Sequence, residues 1–306
     1  MDYELAIIGA GPAGYSAAIY AVRAGIKTLV LDKGFGGGLA SISPNIENYA
    51  GFESISGMDL AEKMKKHASK YTKINLNEEV EDIVKKDDGF EIKTNKKKYK
   101  LKAIIICTGT EYRKLNTPGE KELVGKGVSY CATCDGFFFK DKIVAVVGGG
   151  NSALIEAIYL KQIGCREVYV IHRRDQLRAE KAYVNEAIKN GVKIIYNTHV
   201  EEIKGKNRVD FLEVHDVKTN IKSKINLDGV FISIGEEPQN KLAKKLGVKL
   251  DEKGFIIVDR QMRTNIKGLY AAGDITGGLR QVVTAAAEGA IAALSSTEAV
   301  GKKYPY

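Results

Sequence analysis

Twice in this chain an apolar run opens onto a glycine-rich turn, a helical stretch and a second apolar run that ends in charge. In the first copy Leu5-Ala6-Ile7-Ile8 leads into Gly9-Ala10-Gly11-Pro12-Ala13-Gly14, a helical stretch from Ser16 to Arg23, and Thr28-Leu29-Val30-Leu31 closing on Asp32. In the second, Ile143 to Val147 leads into Gly148-Gly149-Gly150-Asn151-Ser152-Ala153. A helix from Leu154 to Gln162 follows and stops at Gly164, and Val168 to Ile171 closes on His172-Arg173-Arg174-Asp175, with Arg178 one turn on. From first glycine to terminal charge the distance is 23 positions in one copy and 24 in the other. The glycines let the backbone approach a pyrophosphate, and the helix start offers it unpaired N–H groups and partial positive charge. The repeat therefore predicts an α/β chain with two Rossmann-like dinucleotide-binding domains.

The two copies differ in the sign of their closing charge. An acid at Asp32 suits the hydroxyls of an unphosphorylated ribose, whereas clustered guanidiniums suit a 2′-phosphate. One site then takes an unmodified adenosine half and the other NADP(H). Each copy continues to a buried strand ending in glycine, Ala103 to Gly109 in one and Gly229 to Gly235 in the other. A third piece, Gly268-Leu269-Tyr270-Ala271-Ala272-Gly273-Asp274 with the small-residue helix Gln281 to Leu294, has no glycine fingerprint of its own and is placed with the first copy. The expected domains are residues 1–113 with 240–306, discontinuous, and an inserted domain of residues 114–239.

Cys131-Ala132-Thr133-Cys134-Asp135-Gly136 stands a dozen residues ahead of the second fingerprint. Two thiols at this spacing close a small disulfide ring or face an acceptor as a dithiol, and beside two nucleotide sites they read as a stop on an electron relay. The other two cysteines, Cys107 and Cys165, have no partner in the sequence, and Cys107 reads as a small buried apolar residue. His67, His172, His199 and His215 lack zinc-ligand spacing, so no metal is expected. The net charge is +9, yet the lysines are scattered. The densest group, Lys96-Lys97-Lys98 with Lys93 and Lys100, reads as the polar edge of a hairpin, and no nucleic-acid motif accompanies it. A positive field also suits anionic dinucleotides and an acidic protein partner. No targeting segment or membrane-length apolar run is read, which gives the expectation of a soluble, cytoplasmic protein. Phe137-Phe138-Phe139 is expected to pack in the core, with partner docking as its alternative.

Together these motifs resemble the low-molecular-weight thioredoxin reductases over nearly the whole length. The matching runs are Gly9 to Gly14, Glu47-Asn48-Tyr49-Ala50-Gly51, Thr108-Gly109-Thr110, Cys131 to Gly136, Gly148 to Ala153, His172 to Asp175 with Arg178, and Ala271 to Asp274. The resemblance implies FAD in the first domain, held by Gly9, Gly11, Pro12, Ala13, Gly14, Asp32, Lys33, Gly37, Gly38, Leu39, Asn48, Val80, Thr108, Gly109, Gly273, Asp274, Arg280, Gln281 and Val282. It implies NADPH in the second, held by Gly148, Gly150, Asn151, Ser152, Ala153, His172, Arg173, Arg174, Arg178, Ile234 and Gly235. At Gly38 the family usually has a glutamine, so one flavin hydrogen bond must come from elsewhere.

The resemblance also implies a route: hydride from NADPH to FAD, then to the Cys131–Cys134 disulfide, then to the disulfide of a thioredoxin or a glutaredoxin-like small protein. Cys134 would face the isoalloxazine, Cys131 would attack the partner, and Asp135 would manage protons. Asp135 also reads as a plain Asp-Gly turn. The Gln281 helix would aim its positive end at the flavin. A homodimer is implied, as is rotation of the inserted domain about hinges near Tyr112 to Pro118 and Glu236 to Asn240. Alternatives are a reductase of this fold serving a peroxidase or fed by a deazaflavin or ferredoxin, and a non-catalytic nucleotide-binding sensor with a structural CxxC.

Overall fold

Leu5–Ile8 and Ala103–Ile106 are unbroken apolar runs, the composition of strands covered on both faces. In the computed structural model, which describes residues 3–43 and 45–304, they pair in parallel at the middle of a five-stranded sheet. The order across this sheet is Leu269–Ala271, Ala103–Ile106, Leu5–Ile8, Thr28–Leu31, Ile74–Asn75, all parallel. A second five-stranded parallel sheet runs Lys193–Ile195, Glu167–Ile171, Ile143–Gly148, Gly229–Ser233, Val128–Ser129. The two sheets match strand for strand except in the source of one edge. In the first that edge strand follows the rest in sequence, and in the second it precedes them.

The chain divides into one unit of residues 1–111 with 237–306 and another of residues 112–236. The segments where it crosses between them, Thr110–Tyr112 and Glu236–Pro238, pair as a two-stranded sheet. Each unit also carries a three-stranded sheet, Val80–Lys86, Gly89–Thr94 and Lys98–Leu101 in the first. In that hairpin Lys93, Lys96, Lys97, Lys98 and Lys100 all face solvent.

Two helices start where the glycine turns end rather than later, and a third starts one residue after its expected Gln281. The first runs Pro12–Arg23, not from Ser16, because proline at the first helical position loses no hydrogen bond and its φ is already helical. The second runs Asn151–Gln162, not from Leu154, with Gly150 as an extended cap. The last, Val282–Ser295, is capped by Gln281, whose side chain and that of Thr284 exchange bonds with each other's backbone N–H. This helix lies against Pro12–Arg23 at van der Waals contact. A Cβ on Gly289 would stand 2.1 Å from the Ala13 carbonyl oxygen, so only glycine permits the approach.

One expectation fails in part. Phe139 is buried against Phe231, but Phe137 is 64% exposed and Phe138 is half-buried. The run lies in the 3-10 turn Gly136–Phe139, whose three residues per turn point successive side chains a third of a circle apart. Cys107 and Cys165 are buried, and burial pushes both thiols above their ordinary range, Cys165 to about 11. Among the described residues no helix is long and apolar enough to cross a membrane.

Candidate active site

In both units the functional motifs fall at the carboxyl ends of parallel strands, where open α/β sheets bind ligands. In the first unit the three glycines of the turn do different work. A Cβ on Gly9 would lie 2.2 Å from the Cys107 carbonyl oxygen and one on Gly14 would lie 1.9 Å from that of Gly9, so these two serve packing. A Cβ on Gly11 would meet only Gly38 Cα, at 3.8 Å, which leaves the middle of the turn open to a ligand. Asp32 accepts the backbone N–H of Ala10 at 2.7 Å and of Gly34 at 2.8 Å, so it braces the turn and the loop beyond while keeping lone pairs for a ribose.

The other residues expected to hold FAD divide into two groups. Gly273 lies against Ala13, with 2.9 Å between an added Cβ and the alanine's own, and the Asn48 side chain donates to Gln281 Oε1 at 3.0 Å. Segments far apart in sequence thus meet around the start of the Pro12–Arg23 helix, with Val282 opening the last helix and Asp274 the 3-10 turn Asp274–Thr276. Thr108 donates to the Gln239 carbonyl at 2.8 Å, beside Gly109. Three residues point elsewhere. Lys33 pairs with Glu111 at 3.0 Å, Val80 is buried in the antiparallel sheet, and the Arg280 guanidinium lies 5.7 Å over the Phe255 ring. Gly37 and Gly38 both have positive φ, and Gly38 leads the 3-10 turn that contains Leu39. A Cβ on Gly38 would stand 3.4 Å from Gly11 Cα, so space exists for a side chain and the left-handed backbone is what favours glycine.

In the second unit, nothing lies within 4 Å of a Cβ built on Gly150, so the start of the Asn151–Gln162 helix is open. Asn151 is fixed sideways, donating to Glu180 Oε1 at 2.7 Å and accepting the Glu180 N–H at 2.9 Å. Ser152 is exposed, Ala153 buried. Arg173, Arg174 and Arg178 are exposed, and the Arg178 N–H donates to the Gly149 carbonyl at 2.7 Å, which ties the arginine loop to the glycine turn. His172 serves the same end. It is buried, with Nδ1 3.0 Å from the Gly148 oxygen and Nε2 3.0 Å from the Gln176 oxygen, and burial followed by the nearby Arg174 and Arg178 pulls its pKa down. It positions the loop, its one N–H donating to one of these two carbonyls. Ile234 and Gly235 follow the strand Gly229–Ser233, and the Arg113 N–H donates to the Gly235 carbonyl at 3.0 Å. Open glycine, helix start and guanidinium cluster fit an anionic dinucleotide, as does the open middle of the first turn.

Val128–Ser129, the edge strand of this second sheet, runs directly into the redox turn. Cys131 and Cys134 are disulfide-bonded with Cα atoms 5.3 Å apart. The Cys131 sulfur accepts the Cys134 N–H at 3.2 Å and lies 3.4 Å from the Thr133 hydroxyl. Asp135 is 9% exposed, and burial lifts its carboxyl above the usual range, opposed by a hydrogen bond from Ser129 Oγ at 2.6 Å. It is therefore a buried acid, not a solvent-facing turn residue. Among the described residues no cluster of His, Cys, Asp and Glu is arranged to hold a metal.

Four supporting residues lie outside every motif. Tyr15, buried with its pKa pushed up to about 12 by burial, accepts the Gly37 N–H at 3.0 Å and props the glycine loop. Glu288, whose carboxyl burial raises, takes the Gly273 N–H at 2.8 Å and the Thr276 hydroxyl at 3.0 Å. Ser129 donates to the Asp135 carboxyl at 2.6 Å. Glu120 is 3% exposed and accepts the N–H groups of Leu115 at 3.0 Å, Asn116 at 2.7 Å and Thr117 at 3.4 Å, and the Tyr130 hydroxyl at 2.8 Å. Tyr130 also stacks on Tyr112 with ring centroids 5.1 Å apart. The segment expected to act as a hinge is thus clasped to the residue before Cys131. Glu120→Ala orphans these donors and is expected to cost about 2–4 kcal/mol in urea unfolding, against about 1 kcal/mol for Tyr130→Phe. Equal effects would show that the amide bonds contribute little.

Comparison with known proteins agrees with this arrangement. Residues 3–289 match the family of pyridine nucleotide-disulphide oxidoreductases. A thioredoxin reductase of Bacillus subtilis is 43% identical over 296 residues, covering 96% of this chain and 93% of its own length. One from Treponema pallidum is 43% identical and covers 95% of each chain. The crystal structure of a thioredoxin reductase from Streptococcus pyogenes superposes with a TM-score of 0.93 at 41% identity, covering 98% of both chains. Its paired parallel sheets, its two glycine turns and the disulfide beside the second of them are those of a flavin-dependent disulfide reductase, and the chain belongs to the pyridine nucleotide-disulphide oxidoreductase family.

Proposed function

We propose that the protein reduces the disulfide of a small thioredoxin- or glutaredoxin-like protein with electrons drawn from NADPH through FAD. The observation that carries this reading is the place of the Cys131–Cys134 disulfide. It follows the edge strand of the sheet whose strands Ile143–Gly148 and Glu167–Ile171 lead into the glycine turn and the arginine loop. FAD would rest on Gly9 to Gly14, Asp32, Asn48, Gly273 and the start of the Gln281 helix, and NADPH on Gly148 to Ala153 with Arg173, Arg174 and Arg178. A bound flavin supplies what no side chain can, acceptance of a hydride and delivery of both electrons to a disulfide.

The chain's own groups manage sulfur and protons. With the pair reduced, the Cys134 N–H and the Thr133 hydroxyl favour thiolate on Cys131. That thiolate attacks one sulfur of the partner's disulfide, and as the mixed disulfide forms the departing sulfur takes a proton. Cys134 then attacks Cys131 Sγ, reforming the ring and releasing the partner's second sulfur. Asp135, held protonated to higher pH than a surface aspartate by its burial, is the proton donor.

Phe137, exposed three residues beyond Cys134, is the apolar contact for the partner. Phe137→Ala is expected to raise KM for the partner about tenfold, with kcat and Tm unchanged. A fall in Tm with KM unmoved would return it to packing. A homodimer and a cytoplasmic location complete the reading, and light scattering of the purified protein tests the first. The reading as a whole is tested by NADPH oxidation on the FAD-loaded protein with an oxidised thioredoxin. Turnover that needs both supports it. Colourless, zinc-containing protein that turns over with no donor would support a structural CxxC instead.

A further inference from the structure

Ser129 closes the edge strand two residues ahead of Cys131, and it touches both ends of the redox turn. Its hydroxyl oxygen lies 2.6 Å from Asp135 Oδ2, accepts the Cys131 N–H at 3.1 Å, and stands 3.4 Å from the Cys131 carbonyl. A hydroxyl has one proton to give, and while Asp135 is ionised the shorter, charge-assisted contact takes it. The other carboxyl oxygen, Asp135 Oδ1, is buried and makes no hydrogen bond. The two oxygens are therefore inequivalent. Oδ2 is occupied as an acceptor, so a proton carried by Asp135 sits on Oδ1.

Ionisable groups lie on the segments that neighbour this carboxyl. Tyr130 and the disulfide precede it, and the packed helix Asn151–Gln162 contributes Glu156, Tyr159 and Lys161, the last turned to the Cys165 and Arg166 carbonyls. Its titration has two causes, burial and the Ser129 bond, of opposite sign. Among the described residues, Ser129 is the side chain that hydrogen-bonds this acid.

We propose that Ser129 is a positioning residue for disulfide exchange, orienting the Asp135 carboxyl so that Oδ1 delivers the proton and linking that carboxyl to the Cys131 backbone. This rests on the disulfide-reductase reading. The step balances as follows. Cys131 thiolate bonds to one partner sulfur while the partner's S–S bond breaks, and the departing sulfur takes the proton from Asp135 Oδ1. Cys134 then bonds to Cys131 as the mixed disulfide breaks, and its thiol proton goes to the second partner sulfur. Asp135 is left ionised and regains a proton from solvent.

The test compares wild type with Ser129→Ala and Ser129→Thr, using FAD-loaded enzyme with NADPH and oxidised thioredoxin across about pH 5 to 9. Removing the hydroxyl removes the bond that lowers the Asp135 pKa, so the alkaline limb of kcat/KM is expected to move to higher pH in Ser129→Ala. Its plateau is expected to fall about tenfold. Ser129→Thr keeps the oxygen and is expected to keep both. A second readout needs no turnover: the infrared band of the protonated Asp135 carboxyl, assigned by its loss in Asp135→Asn, should titrate at higher pH in Ser129→Ala. Ser129→Gly carries the same expectation should the alanine variant not fold. A limb and a band both unmoved, with wild type active on thioredoxin, would overturn the proposal. A wild type inactive on every disulfide overturns the functional reading instead, and the infrared titration still judges the Ser129 contact.

Discussion

Cys131→Ser is expected to lower reduction of a thioredoxin-like disulfide by at least about a thousandfold, because a serine hydroxyl is not ionised at neutral pH and cannot form the mixed disulfide. NADPH-dependent reduction of a small dye that takes electrons directly from the flavin should persist, since the glycine turns and the arginine loop are untouched by the change. Cys131 receives the Cys134 N–H and lies near the Thr133 hydroxyl, contacts that favour thiolate at the sulfur this change removes. Comparable loss of dye reduction and disulfide reduction in this variant would mean that the pair supports the fold more than the chemistry.

The second large effect concerns the nicotinamide donor. Arg173→Ala combined with Arg174→Ala is expected to reduce kcat/KM for NADPH by roughly a hundredfold or more, two charge-assisted contacts at about 1.5–3 kcal/mol each. With NADH the same variant should change little, because no phosphate is present for these exposed side chains to meet. High salt should weaken wild-type NADPH binding and leave NADH binding nearly constant. His172 predicts a different outcome. Its neutral ring lies between the Gly148 and Gln176 carbonyls and donates its one N–H to one of them, so His172→Ala should impair both donors through the loop. Equal loss with NADPH and NADH in the arginine variant would remove the 2′-phosphate assignment.

Much of the architecture was written locally and could be read. A glycine that must let one backbone pass within contact distance of another, as Gly9 does at Cys107, has no substitute, and it recurs at the same spacing from the same strand. The charge closing the second strand, Asp32 or the arginine loop, is likewise set by the fold's own geometry. The helix starts are not legible because Pro12 and Asn151 read as turn residues, although both positions favour a helix's first turn. The exposure of Phe137 is not legible either, because a run of aromatics looks like core until the 3-10 turn splays it. The supporting shell was not legible. Glu288 finds Gly273, Tyr15 finds Gly37 and Glu120 finds Tyr130 only after folding brings them together. Nothing in a lone Glu or Tyr announces that it will be buried against one particular N–H.

Electron flow through the sulfur pair to an outside disulfide is the claim on which the rest depends, and rapid-mixing spectroscopy of the flavin tests it directly. Flavin-loaded protein is reduced with two equivalents of NADPH in the absence of oxygen, one for the flavin and one for the Cys131–Cys134 disulfide, and then mixed with at least two equivalents of an oxidised thioredoxin. The flavin absorbance should bleach on the first mixing and return on the second, with thioredoxin thiols appearing in step and Cys131→Ser failing only at the second stage. Bleaching that thioredoxin cannot reverse in the wild-type protein would contradict the account.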